Sequence, residues 1–323
     1  DGTFVDVAAD AGSFASRPEV TRGMAFGDLD QEGDLDIVTN DIANRLRVYR
    51  NDAPPPGHHW LQILALAGGR VDVGATVTVV GRTFRDRDTD GIDFIPADLS
   101  TVAEQRRVAT ELPAEDLHLL VFTNGILSPK RRETSDDGIE IDLAVSYLSR
   151  FVILRGVAER LGANLDARPR VFVMGAPGSN VAGNPSDLNS EEKYAQVAAH
   201  MQTVAANEAL VLDAKSRYPT MGVYGLNPGL VATGDIRAPF LGGANSLRFQ
   251  VAEWLIGKFN PSADEYAARI GPTLVSAELD AESGLVFDSK ARRSKPSKKL
   301  TPERVADFMQ ATEELLANLP RPR

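Results

Sequence analysis

From about residue 74 onward, short apolar runs alternate with longer stretches whose apolar residues recur at helical spacing. Leu117-His118-Leu119-Leu120-Val121-Phe122-Thr123-Asn124-Gly125 reads as an apolar strand ending in a turn, and Arg170-Val171-Phe172-Val173-Met174-Gly175-Ala176 as another. Between them, Leu143 to Leu161 has the periodicity of an amphipathic helix. A further helix is predicted within Asp187 to Leu212, and a last one from the cap Thr301-Pro302-Glu303 to about Leu316. Alternation of this kind is the pattern of a doubly wound α/β domain with a mostly parallel sheet. Residues 1 to about 66 read differently, with the strand-like runs Ile37-Val38-Thr39 and Trp60 to Leu66 and the breaker Pro54-Pro55-Pro56-Gly57.

Composition sharpens the division. The chain has 323 residues, 43 % of them apolar, enough for one large domain or two smaller ones. Residues 1–66 hold 11 Asp and Glu against 5 Arg, a net −6 of the −10 carried by the whole chain, which points to two segments of different origin. The negative balance argues against nucleic acid as a partner. The basic stretch Lys290 to Lys299 lacks interleaved aromatics and reads as a solvated loop. There is no cysteine, so disulfides, thiolate metal sites and cysteine nucleophiles are excluded. No apolar run approaches the about 18 residues of a membrane span. No positively charged apolar leader opens the sequence, which starts at Asp1, so a leader removed earlier is compatible with it.

In the first segment, Asp28, Asp30, Glu32, Asp34 and Asp36 place a carboxylate at every second position around Gly33. Carboxylates so spaced in a tight loop converge on one point, which suits a hard cation, calcium above all; the alternative is an acidic surface turn. With Gly23-Met24-Ala25-Phe26-Gly27 ahead of it, and Arg47-Val48-Tyr49-Arg50-Asn51 and His59-Trp60-Leu61-Gln62 after it, the stretch resembles one FG-GAP/VCBS repeat followed by the start of an ASPIC/UnbV module, families of extracellular proteins. One repeat is too few to bury the faces of a propeller blade.

The second segment resembles the short-chain dehydrogenase/reductases, of the retinol-dehydrogenase-like type. The resemblance is carried by Asp137-Gly138-Ile139-Glu140, by Asp187-Leu188 with Tyr194, by Ala199-His200-Met201-Gln202-Thr203-Val204-Ala205-Ala206-Asn207, and by Pro228-Gly229-Leu230-Val231-Ala232-Thr233, in the family's order and spacing. It implies a Rossmann-like sheet over about 83–323, possible start at 74, joined through 67–82 to the β segment of 1–66. It also implies NADP or NAD as cofactor, a small carbonyl or alcohol as substrate, and a homodimer through the two long helices. Dinucleotide contacts would come from Arg82, Asp98, Leu99, Gly125, Pro228, Gly229 and Thr233. The family's catalytic Tyr, Lys, Ser and Asn positions carry His200, Val204, Ala176 and Ser146 here, which leaves His200 and Ser146 as the candidates for chemistry. His200 has the right intrinsic acidity for a general acid; the alternative is a packed or surface histidine. Ser179 reads as a turn former and His118 as a structural or surface residue.

The join can be read two ways. Ala75 to Val80 is either an antiparallel partner of Trp60 to Leu66, as in an UnbV module, or the second strand of a Rossmann unit, followed by Arg82. Under the second reading, Leu66 to Gly74 is too short for the first strand, glycine turn and helix that hold a dinucleotide's pyrophosphate. The sequence therefore implies an oxidoreductase scaffold without its standard mechanism, a calcium-binding interaction module, or a hybrid of two fragments. Location would be cytoplasmic by the dehydrogenase part and extracellular or periplasmic by the other.

Overall fold

The central strands of the main sheet, Arg170–Met174 and Gly222–Leu226, are buried on both faces, and this explains their near-continuous apolar runs. The computed structural model describes residues 21–27, 36–41, 46–49, 66–67, 70–71, 77–82, 92–229, 246 and 260–319. Contacts divide the chain into two units, Asp1–Trp60 and Leu61–Arg323.

In the first unit, β1 (Thr21–Gly27), β2 (Asp36–Asp41) and β3 (Leu46–Tyr49) form an antiparallel three-stranded sheet in the order β1-β2-β3. Asp36 opens β2, whereas Asp28, Asp30, Glu32 and Asp34 lie outside the described residues. Among the described residues no group of three or more His, Asp or Glu could hold a metal ion.

The first described strands of the second unit are β4 (Leu66–Ala67) and β5 (Arg70–Val71), a short antiparallel pair. Next come β6 (Val77–Gly81) and β7 (Ile92–Pro96), which pair in parallel, Val77 opposite Ile92. This parallel pairing is of the Rossmann kind, whereas Ala75 and most of Trp60 to Leu66 lie outside the described residues. Helix α1 (Val102–Glu111) is capped by Thr101, and Asp137 Oδ2 accepts from Val102 N at 2.7 Å, tying it to a distant loop. After β8 (Leu119–Phe122), α2 (Ile141–Leu143), a π turn (Ala144–Leu148) and α3 (Ser149–Val157) continue one another. Then come β9 (Arg170–Met174), the 22-residue α4 (Gln196–Arg217), β10 (Gly222–Leu226), α5 (Ala263–Leu274), β11 (Leu285–Phe287), β12 (Arg293–Ser294) and α6 (Pro302–Ala317). Thr301 caps α6 with Pro302 in its first turn, where a missing N–H costs nothing.

The main sheet runs β12-β11-β10-β9-β8, parallel except for β12. Alternate residues of each strand serve opposite faces. Leu120, Val171, Val173 and Val223 join the core beneath α1, α3, α4 and α6, whereas Phe172, Tyr224 and Leu226 pack with Tyr266 and Ile270 of α5 on the other side. There the rings of Phe172 and Tyr224 stack 4.8 Å apart, worth about 1 kcal/mol beyond the area they bury. Among the described residues, β8 bonds only to β9 and β6 only to β7, so the parallel array is interrupted between β6 and β8. No helix among the described residues is long and apolar enough to cross a membrane.

Candidate functional site

At the carboxyl ends of β8 and β9 the chain turns through Asn124-Gly125 and Gly175-Ala176, and α2 with its π turn and α4 pass beside these turns. Gly175 permits the approach: a Cβ there would stand 2.7 Å from Asn207 Cβ. Asn207 Nδ2 in turn donates to Ser146 O at 2.8 Å and Thr203 O at 2.8 Å, fastening α4 to the π turn.

The centre of the site is Asp142, whose side chain is 0 % exposed. It lies one helical turn before Ser146, and its carboxylate accepts from three directions. Ser146 Oγ reaches Oδ1 at 2.5 Å, Ser128 Oγ reaches Oδ2 at 2.8 Å, and His200 Nδ1 lies 2.9 Å from Oδ2. An acceptor-only carboxylate assigns the proton of that contact to Nδ1 and leaves Nε2 on the side away from Asp142. His200 is 24 % exposed at its side chain, so it joins a buried anion to an accessible surface. Ser146 also accepts from Ile126 N at 2.9 Å, which fixes its hydroxyl proton toward Asp142.

A second carboxyl, Glu140, is buried at the N-cap of α2, where Oε2 accepts from Leu143 N at 2.8 Å while Asn189 Oδ1 accepts from Glu140 N at 2.7 Å. Burial pushes its carboxyl up to about 7 against the Leu143 N–H, which favours the anion, and the charge of Asp142 adds to the rise. Its Oε1 has no hydrogen-bond partner among the described residues. Tyr194 donates to Pro129 O, and desolvation, followed by Glu140 and Asp142, pushes its phenol up to about 12. Beneath the two turns lies Arg150, buried, donating from Nη1 to Met174 O at 2.7 Å and from Nη2 to Asn124 O.

The structure thus brings His200 and Ser146 together through a residue that sequence reasoning missed. The signal was present in the i, i+4 spacing of Asp142 and Ser146. Val204, at the Lys position, is buried and apolar, and Ala176, at the Ser position, adopts φ 52° in the left-handed region. Ser179 is exposed and donates to Ala176 O at 2.6 Å, a turn former as read. His118 is exposed.

The described residues expected to contact a dinucleotide each lie just past the carboxyl end of a parallel strand. Gly125 adjoins the site, since a Cβ there would stand 3.4 Å from Ser146 Oγ. Asp98 is exposed and accepts from Ser100 N at 3.0 Å; Leu99 leans on the core and gives its carbonyl to Gln105 Nε2 at 2.9 Å. Arg82 is exposed just past β6. Gly229, φ 69°, follows Pro228 in a turn where its N–H donates to Asn227 Oδ1 at 3.0 Å, and Asn227 Nδ2 donates to Pro177 O at 2.9 Å. Thr233 lies outside the described residues.

No family model matches the chain, so the calcium-loop resemblance of its first segment gains no support. The chain is 45 % identical over 249 residues to an uncharacterized oxidoreductase of Saccharomyces cerevisiae, spanning 75 % of this chain and 80 % of that one. It is 24 % identical over 180 residues to the short-chain dehydrogenase/reductase prx1 of Penicillium rubens, 53 % of each chain. Among solved structures, an uncharacterized protein from Mycobacterium paratuberculosis superposes with a TM-score of 0.54 at 17 % identity, over 77 % of this chain and 87 % of that one, a likeness of fold alone. With the yeast relative matched over four fifths of its length, and a parallel sheet flanked by helices on both faces, the chain belongs to the short-chain dehydrogenase/reductase family of oxidoreductases.

Proposed function

We propose that this chain is an oxidoreductase-family protein that does not work by the Tyr–Lys mechanism, and whose surviving acid–base group is His200 oriented by Asp142. The observation that carries the reading is the buried carboxylate 2.9 Å from His200 Nδ1, with two serine hydroxyls completing its shell. In that arrangement Nε2 gives a proton to, or takes one from, a carbonyl or hydroxyl oxygen of a small substrate, and Asp142 stabilises the imidazolium in between. Val204 can neither bond a ribose nor supply charge, and Ala176 cannot polarise a carbonyl, so those two roles of the family are absent.

A dinucleotide requires backbone N–H groups at a helix N-terminus for its pyrophosphate. In this family the cradle follows the first strand, and among the described residues the array is interrupted there, between β6 and β8. With Val204 buried and apolar as well, the described residues do not fit a whole NAD or NADP, and no step of this reading runs through one. A homodimer through α3 and α4 is disfavoured because α6 already packs there: Tyr147 bonds Thr312 at 2.7 Å and Arg155 pairs with Glu313 at 2.8 Å.

The test is fluorescence titration of the full chain with NADPH and NADH, followed by a carbonyl-reductase and alcohol-dehydrogenase screen of the natural chain and His200→Gln. We expect no dinucleotide binding up to millimolar concentration. Micromolar binding, with turnover that survives His200→Gln, would refute the reading.

A further inference from the structure

Arg150 is 2 % exposed, and its guanidinium faces two neutral carbonyls at the ends of adjacent parallel strands. Two carbonyls need two donors, not a full charge. A neutral amide would serve one of them at a far smaller desolvation cost, and Arg150 Nε has no hydrogen-bond partner among the described residues. Burial pulls the Arg150 guanidinium down to about 9, and the charge of Asp142, the anion that bears on it, offsets part of that cost. The geometry agrees. The position where a Gly125 Cβ would stand is 3.5 Å from Arg150 Nη2 and 3.4 Å from Ser146 Oγ, the hydroxyl that donates to Asp142 Oδ1. Arg150 and Ser146 thus both border Gly125, which leaves no side chain between them, and the Ser146 hydroxyl carries the contact on to Asp142.

We propose that Arg150 is a positioning residue of the His200 site, its buried charge balancing that of Asp142 and setting the pH at which the His200–Asp142 pair takes up a proton. The other titratable groups around the pair are Glu140 on the same turn, Tyr194 ahead of α4, and Arg132 and Glu133 in the loop before α2. None of these is a buried cation, so Arg150 alone supplies fixed positive charge from beneath. Removing it favours the proton on either member of the pair, and both effects move uptake to higher pH. The inference deepens the reading of His200 as acid–base group, but its readout needs no turnover.

The experiment is an NMR pH titration of the His200 ring in the full chain, its signal identified by loss in His200→Gln. Arg150→Gln, which keeps a donor but not the charge, is expected to raise the midpoint by about one unit, the size of a unit charge removed at roughly 12 Å at an effective dielectric near 20. Arg150→Lys is expected to leave the midpoint in place. An unmoved midpoint in Arg150→Gln, or the same shift in both variants, overturns the proposal. If neither variant folds, Asp142→Asn decides: with the couple, it strands a buried cation and lowers Tm by about 10 °C or more, well beyond the effect of Ser146→Ala. Equal small losses overturn it. Turnover through a bound dinucleotide would sink the functional reading without touching this titration.

Discussion

Tyr147 and Thr312 join the π turn of the site to the last helix by one buried hydrogen bond, and its worth can be worked out. Both side chains are 0 % exposed, and the phenol lies 2.7 Å from Thr312 Oγ1. Thr312 Oγ1 donates to Phe308 O at 2.7 Å, so its single proton is spoken for and the phenol is the donor of the pair. Thr312→Val keeps the shape and leaves a buried phenol O–H without an acceptor, a loss of about 2 kcal/mol or roughly 4–8 °C in Tm. Tyr147→Phe costs less, about 1 kcal/mol, because Thr312 keeps its own acceptor in Phe308. In the double variant two apolar groups face each other, so its cost stays close to that of Tyr147→Phe alone, with a coupling of about 1–2 kcal/mol. Urea and thermal unfolding of the four proteins measure it. Full additivity, or a Thr312→Val variant as stable as the parent, would refute the reasoning and with it the docking of α6 over the site helices.

Two further outcomes follow from the same neighbourhood. Glu140 is raised by burial to about 7, above its unfolded value, so the folded state holds a proton that the unfolded state releases, and this contribution is lost as pH rises through about 7. Glu140→Gln keeps the acceptor for Leu143 N and is expected to be more stable than the parent by on the order of 2 kcal/mol at pH 8, with the difference gone by about pH 4; equal stability at pH 8 contradicts the burial argument. Gly183 holds φ 58°, and a Cβ there would meet the buried Phe308 ring and stand 3.0 Å from Ala205 Cβ. Gly183→Ala is therefore expected to lose about 2–4 kcal/mol in chemical denaturation, from backbone strain and overpacking together.

Strands β8 and β9 were legible in the sequence as short apolar runs ending in turns, and the cap at Thr301 marked α6 because Thr-Pro-Glu satisfies a helix start locally. The helix after Glu140 was only half legible. Its periodicity over Leu143 to Leu161 reads as amphipathic, which does not mark Asp142, Ser146, Ser149 and Arg150 as buried. In the structure all four are buried, because α1 packs on α3 and α4 packs across α2 and the π turn. A polar residue inside a helix covered on several sides is invisible to a one-dimensional pattern, since its partners come from Ser128 and His200, 14 and 58 residues away. The dyad was thus hidden by tertiary packing, whereas His200 and Ser146 could be found because a family frame placed them.

Among the described residues the parallel array is interrupted between β6 and β8, and the family's Lys and Ser positions carry Val204 and Ala176. Parallel pairing of β6 with β7 shows that the Rossmann half-sheet persists up to Gly81 and Pro96, and β8, β9, β10 and β11 carry it on in parallel. Both halves reach the same core, through Val80 and Ile95 on one side and Leu120 and Phe122 on the other. Between Leu66 and Val77 the described residues form the β4–β5 pair, and no described strand lies between β6 and β8. At the family's Lys position Val204 is buried and packs beside the core. The site where α2 and α4 meet is built independently of that interruption, from a buried carboxylate, two hydroxyls and an accessible imidazole.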